Sequence, residues 1–395
     1  MVGICFSNRA LKEMIVPLFF EQLLVMLVGI ADTFVVSFVG EAAVSGVSLV
    51  NMFNTIFIYL FTALASGGAV IISQYIGCED QKNTVKSSSQ LLMFSTVFSI
   101  IIAVITLIFN RPLLTLLFGK VENSVMEACV TYLRISAYSY PALAIYNAGA
   151  ALYRSIGKTS TTMYISLISN VINVIGNLIG VFVLDAGVAG VAYPSLIART
   201  FSAVAITVLC FSKSRFAHYS KEWIFEMGWT YVKKEFLNIA IPNGIENGIF
   251  QLVKVALSSV VALFGTYQIA ANGIAQSIWS LAALIGSAMG PVFITVIGQC
   301  MGANQVKEAE CYFYKLMKLT LVLSIIWNVL VFIITPILCN FIRFQKKHDN
   351  WLLSLSSFIM FLILLPFHFQ DHYQMDSVLL VMSNIQWLFP LLQQF

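Results

Sequence analysis

Apolar runs of about 20 residues, the length a helix needs to cross a bilayer at 1.5 Å rise per residue, recur along the chain between short polar breaks. They predict helices over residues 13–38, 47–75, 88–110, 127–153, 161–183, 187–211, 239–264, 270–298 and 316–338, with a weaker tenth over 351–369. The run from Leu91 to Phe109 is apolar on every face. Barrel strands instead alternate polar and apolar positions over roughly ten residues. A barrel is therefore excluded, and the expected fold is an all-α polytopic membrane protein.

Charge in the breaks gives the orientation. With the N-terminus inside, the inner segments hold Arg9, Lys12, Lys82, Lys86, Arg154, Lys158, Lys213, Arg215, Lys221, Lys233, Lys234, Lys307, Lys315 and Lys318, whereas the outer ones hold only Arg111 and Lys120. Cytoplasmic loops concentrate Lys and Arg, so the N-terminus and the long 212–238 linker are expected in the cytoplasm and the chain in the inner membrane.

The linker follows the sixth predicted helix and divides two similar halves. At one offset of 225, Pro17 falls on Pro242, Glu21 on Glu246, Ala31 on Ala256, Gly40 on Gly265, Gln74 on Gln299, Gly77 on Gly302 and Lys82 on Lys307, without a gap. Six helices separate the copies, so both share one orientation, related by an axis along the membrane normal. Two such pseudo-symmetric six-helix lobes would enclose a cleft opened to either side by rocking. The expected organisation is a first lobe over 1–211, the linker over 212–238, the start of a second lobe over 239–342, and a tail over 343–395.

That tail breaks the repeat. Arg154, Gly157 and Met163 should find counterparts near 379–388, where the sequence is LLVMSNIQWL. If the last base of each codon is joined to the first two of the next, the stretch from Gln374 to Trp387 admits N-G-[LF]-R-A-A-G-D-V-K-[YH]-T-M, which restores the R-x-x-G-x5-M spacing of the first half. A one-base frame displacement near residues 341–344 is the expectation, leaving the second lobe incomplete; a divergent C-terminus is the alternative.

Composition agrees with the class. Of 395 residues, 59% are hydrophobic and 10% charged, with mean hydropathy +0.87, against roughly 25% charged in soluble domains. The net charge of +4 is explained by the inner loops, so no nucleic-acid partner is implied. Seven cysteines without paired spacing suggest neither a disulfide framework nor a zinc site. No cleavage site follows a short apolar core at the N-terminus, so the first helix should be retained.

The string A-D-T-F-V-V-S-F-V-G at 31–40, together with P-x3-E, G-G-A-V-I-I-S-Q-Y-I-G at 67–77, R-S-I-G-K-T at 154–159 and G-V-A-G-V-A at 187–192, resembles the multidrug and toxic compound extrusion family. The resemblance implies a twelve-helix exporter that exchanges cytoplasmic organic cations or drugs for external H+ or Na+. By that resemblance Asp32 matches the first-lobe acid whose protonation or Na+ ligation drives the cycle, and the position of Asn177 is often Asp, so one charge is missing here. That departure favours H+ over Na+.

The residues support the same focus independently. Asp32 lies inside the first predicted span, where an ionisable group is costly and usually has a task or a partner. Asn173 and Asn177 share one helix face, and with Asn147, Asn170 and Ser195 they offer oxygen ligands of the kind hard cations prefer; interhelical hydrogen bonding is the plainer role for each. Glu246, Gln251 and Lys254 on the seventh helix, and Gln268, Asn272 and Gln276 every fourth residue on the eighth, are candidates to line the cleft. Glu246 is alternatively an interfacial group, as its repeat mate Glu21 is expected to be.

No Walker-type loop is present, and outside the tail the only histidine is His218, in the linker, so neither ATP-driven transport nor an enzyme is suggested. The expected partners are a small lipophilic or cationic molecule and the bilayer, with the chain a monomer. No cofactor is expected beyond Na+ as a coupling ion. A flippase for lipid-linked sugars and an inactive truncated remnant are the competing readings; the former would need a more basic cleft than Arg199 and Lys254 supply.

Overall fold

The structure, a computed structural model, describes residues 6–118, 122–212, 216–225 and 279–341, side chains to 333, plus the isolated positions 242, 249 and 253. Among these residues it is helical throughout. In chain order the helices are α1 (Asn8–Ser37), α2 (Glu41–Gly77), α3 (Gln81–Ile108), α4 (Asn110–Phe118), α5 (Asn123–Tyr138), α6 (Tyr140–Ser155), α7 (Thr159–Leu178), α8 (Ala189–Cys210), α9 (Lys221–Phe225), α10 (Leu284–Gly302) and α11 (Val306–Phe341). Seven helical segments among the described residues are long and apolar enough to cross a membrane. They coincide with predicted spans, while predictions over 239–264 and 351–369 lie outside the described residues apart from the isolated positions.

Two features differ from the sequence reading. The span expected over 127–153 is interrupted at Ser139, between α5 and α6. Pro141 explains the break, because it has no N–H to donate to the carbonyl one turn earlier; the Ser139 hydroxyl instead donates to Ser136 O at 2.6 Å. The segment holding Arg111, expected as an outer loop, is the short helix α4, with Leu116 81% exposed.

The chain forms two compact units. One comprises Met1–Gly248 and Ala288–Tyr314, the other Ile249–Ser287 and Lys315–Phe395. In the first, buried apolar side chains form several cores. One gathers Leu64, Ile72, Leu91, Leu152 and Ile206, another gathers Val36, Val50, Leu133 and Val191, and a third gathers Phe61, Ala137 and Tyr140. The outward faces are also apolar: Leu27, Ile30, Phe34, Ile108 and Val208 are each more than half exposed. A soluble surface would not carry such a patch, whereas lipid is a matching solvent. In the second unit, Trp327 Nε1 donates to Leu281 O at 2.7 Å.

The sequence repeat is visible in the backbone. After α2 the chain turns at Glu79 with φ of 57°, and after α10 it turns at Asn304, 225 residues on, with φ of 58°. Matching hydrogen bonds close both turns, Asp80 N to Tyr75 O and Gln305 N to Cys300 O among them. In the first copy Asp80 caps α3, its Oδ1 accepting from Asn83 N at 3.0 Å. That bond holds the Asp80 carboxyl below its ordinary pKa.

α2 and α10 also cross closely. A Cβ on Gly77 would overlap the Gln299 carbonyl, and one on Gly302 would overlap the Gln74 carbonyl. Both positions therefore need glycine for the approach. Gln299 Nε2 and Thr295 Oγ1 reinforce the crossing by donating to Ser155 O at 2.7 Å and Arg154 O at 3.0 Å, carbonyls at the end of α6.

Candidate functional site

Two polar clusters lie within the apolar helices, one buried and one half-buried, and α1 contributes an acid to each. The half-buried one is built on α7, whose Asn173 and Asn177 are one turn apart. Asn177 Nδ2 donates to Asp32 Oδ1 at 2.6 Å and to Asn173 Oδ1 at 3.0 Å, and Asn173 Nδ2 donates to Ser195 Oγ at 2.9 Å. Ser195 in turn donates to Val191 O at 3.2 Å. Two acceptors on Asn177 Nδ2 fix the amide orientation, leaving Asn177 Oδ1 buried with no partner among the described residues.

Glycines bring these groups together. A Cβ on Gly176 would stand 2.6 Å from Pro194 Cβ, and Gly180 and Gly190 approach so closely that a side chain on either would strike the other's backbone. Between α7 and α8 the helix widens into a π-turn over Ile179–Val183, a distortion common at functional sites. Without this close approach Ser195 on α8 would not reach Asn173.

The structure thus unites Asp32, Asn173, Asn177 and Ser195, four of the six expected groups. Asn170 Nδ2 is buried nearer the start of α7, without a partner among the described residues. Asn147 lies elsewhere: with Thr62, Ser66, Arg154 and Thr295 it lines a small cavity of about 30 Å³, room for a water molecule. Glu246, Gln251, Lys254, Gln268, Asn272 and Gln276 lie outside the described residues.

The second cluster was not anticipated. Glu21, expected at the membrane interface, is 3% exposed. Its Oε1 accepts from Arg154 Nη2 at 2.7 Å and from the Tyr146 hydroxyl at 3.2 Å, while Oε2 accepts from Thr162 Oγ1 at 2.9 Å. Arg154 is therefore not merely an inner-loop charge but the counter-ion of a buried acid. The available signal was an acid one turn after Pro17 inside an apolar run and a base in the last turn of another helix. Hydropathy registers both positions as span ends and does not show that they meet.

Further along α8, Arg199 Nη1 donates to Ser139 Oγ at 2.7 Å, at the break between α5 and α6. Close by, the Tyr140 hydroxyl donates to Asn54 Oδ1 at 2.6 Å.

For Na+ the Asp32 cluster offers the carboxylate and the Asn177 carbonyl oxygen, unpartnered among the described residues, the hard oxygen donors such an ion takes. For a proton it offers the same carboxylate with an acceptor beside it. The donor set fits either ion, with one acid rather than two.

These apolar helices, with an acid seated among amides inside them, define a multi-pass membrane protein with a polar intramembrane site. The MatE family profile matches residues 17–179 and 242–370, and the chain belongs to that family. The second match continues beyond residue 343, where the change of frame was expected; the tail itself lies outside the described residues.

Among curated relatives, the chain is 26% identical over 297 residues to "Uncharacterized transporter YisQ" of Bacillus subtilis (strain 168), covering 74% of this chain and 64% of that protein. It is 24% identical over 302 residues to "Probable multidrug resistance protein NorM" of Thermotoga maritima, covering 75% and 63%. The match thus spans less than two thirds of either relative. Its fold is that of a "MATE in complex with MaL6" crystal structure, with a TM-score of 0.82 at 18% identity over 91% of this chain and 80% of the other.

Proposed function

We propose that this chain works as a secondary-active antiporter of the inner membrane, N-terminus in the cytoplasm, exporting lipophilic organic cations or drugs as a monomer in exchange for H+. The observation that carries this reading is the Asp32 carboxylate held by Asn177 Nδ2, with Asn177 Oδ1 left unpartnered beside it. A carboxylate inside a span is expensive to keep charged, and among the described residues only the neutral Asn177 amide bonds it. It can take up a proton from one side and release it to the other as its surroundings change. The two relatives, one named a transporter and one a multidrug resistance protein, support the substrate class. The same comparison supports transport rather than catalysis.

In this mechanism Asn177 holds the ionised carboxylate through Nδ2, and its own carbonyl accepts from the protonated one once the side-chain amide turns over, exchanging its nitrogen and oxygen. Asn173 and Ser195 hold the amide in the orientation that serves the ionised state. The crossing of α2 and α10 at Gly77 and Gly302 gives a seal that must part for a substrate to enter from that side.

The test is accumulation of a fluorescent lipophilic cation in cells expressing the chain, with the proton and sodium gradients collapsed separately. Dye exclusion lost with the proton gradient and kept without sodium is expected. Exclusion that follows sodium alone would refute proton exchange, and unchanged exclusion in Asp32→Asn at matched expression would refute the role of that acid.

A further inference from the structure

The first-lobe site contains a second charge that the reading above does not use. Arg199 stands one turn beyond Ser195 on α8, on the same face, and Ser195 is the last side chain of the Asp32–Asn177–Asn173 chain. Its guanidinium is held away from direct contact with Asp32 by donating to Ser139 Oγ at 2.7 Å. The Ser139 hydroxyl is oriented for that role because its proton goes to Ser136 O at 2.6 Å. Asp32, Tyr132 on α5 and Tyr140 on α6 all lie within the electrostatic reach of Arg199. The break at Pro141 thus has a consequence: it presents the Ser139 hydroxyl that holds this cation between the helices.

We propose that Arg199 is a resident cation that sets ion specificity, denying Na+ the Asp32 site while leaving it open to a proton. This rests on the reading of Asp32 as the coupling acid. A fixed positive charge disfavours any added cation through the weakly screening interior, but the two ions do not depend on that field equally. A proton forms a covalent O–H bond with one carboxylate oxygen and needs only one acceptor beside it, which Asn177 Oδ1 supplies once its amide turns over. A sodium ion must replace its hydration shell with several oxygens and repay the loss through net negative charge. With Asn177 a neutral amide, the ionised acid and the guanidinium sum to zero before any ion arrives. Arg199 is a positioning charge and touches neither ion.

The test is equilibrium binding of radioactive Na+ to the full chain purified in detergent at neutral pH. No saturable binding is expected for the wild type or for Arg199→Lys, which keeps the charge. Arg199→Met should gain saturable binding on the order of tenfold above the wild-type signal, the size a single charge in a poorly screened site can impose. Adding Asp32→Asn to that variant should abolish the gain. Asp32-dependent Na+ binding by the wild type would overturn the proposal, as would an equal gain in Arg199→Lys, which would mark a packing effect. A folded Arg199→Met with no gain would also overturn it, and if Asp32→Asn still abolishes dye export the coupling role of Asp32 survives. A gain that persists without Asp32 would place the ion elsewhere and sink both. If Arg199→Met does not fold, Arg199→Gln, which keeps a donor for Ser139 Oγ, carries the same expectations.

Discussion

Helix α1 carries two buried or half-buried acids, and their surroundings are opposite. Glu21 meets a guanidinium, a phenol and a hydroxyl, so both its oxygens are bonded and its charge is cancelled in contact. Asp32, eleven residues and about 16 Å along the same helix, meets one amide and stands near, but not against, a cation. A fully bonded ion pair cannot give up its charge cheaply and holds helices in place. A carboxylate held by one neutral donor can change state. The contrast separates an acid that locks α1 to α6 and α7 from one that is available for work.

Breaking the pair at Glu21 should have the largest effect. Arg154→Met leaves a buried carboxylate without its counter-ion, a change that costs about 3–5 kcal/mol in buried pairs. Loss of the folded peak in size-exclusion chromatography or a sharply lowered Tm is expected. Replacing both partners, in Glu21→Gln with Arg154→Met, should recover much of that loss, since apolar or neutral substitutes for a whole buried pair are often tolerated. A double variant as unstable as the single one would show that the bonds to Tyr146 and Thr162, not the charge pair, carry the cluster.

Asp32→Asn should come next and in the other direction from expectation for an intramembrane charge. Its stability should lie within about 1 kcal/mol of the wild type, because only one bond is altered, while dye export is lost. A collapse as severe as that of Arg154→Met would erase the distinction between the two acids.

The smallest effect belongs to an acid outside the spans. Asp80 has its carboxyl held below the usual value by the Asn83 N–H, so its contribution is full above the unfolded pKa near 4 and is lost as pH falls through the lower folded value. Asp80→Asn should therefore narrow the difference in Tm between mildly acidic and strongly acidic buffer. An unchanged difference would show that the cap does not respond to its charge.

Much of this arrangement is legible in the sequence, because membrane helices announce themselves by length and because the offset of 225 predicts matching turns, which Glu79 and Asn304 then display. Asp32, Asn173 and Asn177 are found because an acid inside a span and two amides one turn apart are both local patterns. Glu21 with Arg154 is missed because the pair joins residues 133 positions apart, and neither end looks unusual alone. Asn147 is misplaced for the complementary reason: an asparagine's type suggests a ligand, but only packing determines that it looks toward Thr62 and Thr295. The break at Ser139 is hidden because hydropathy runs unbroken through Pro141, which has no polar signature.

The glycine crossing carries one more consequence. Gly77 opposes Gln299 while Gly302 opposes Gln74, so each half of the contact is the other with partners exchanged. That reciprocity is the signature of an isologous interface, the kind two identical subunits make about a two-fold axis, here enclosed within one polypeptide. A lone copy of the repeat already has both complementary surfaces, the glycine and the carbonyl it admits. The duplicated chain has in effect internalised a homodimer, and Gly77→Ala and Gly302→Ala should behave as one mutation made in either of two equivalent subunits.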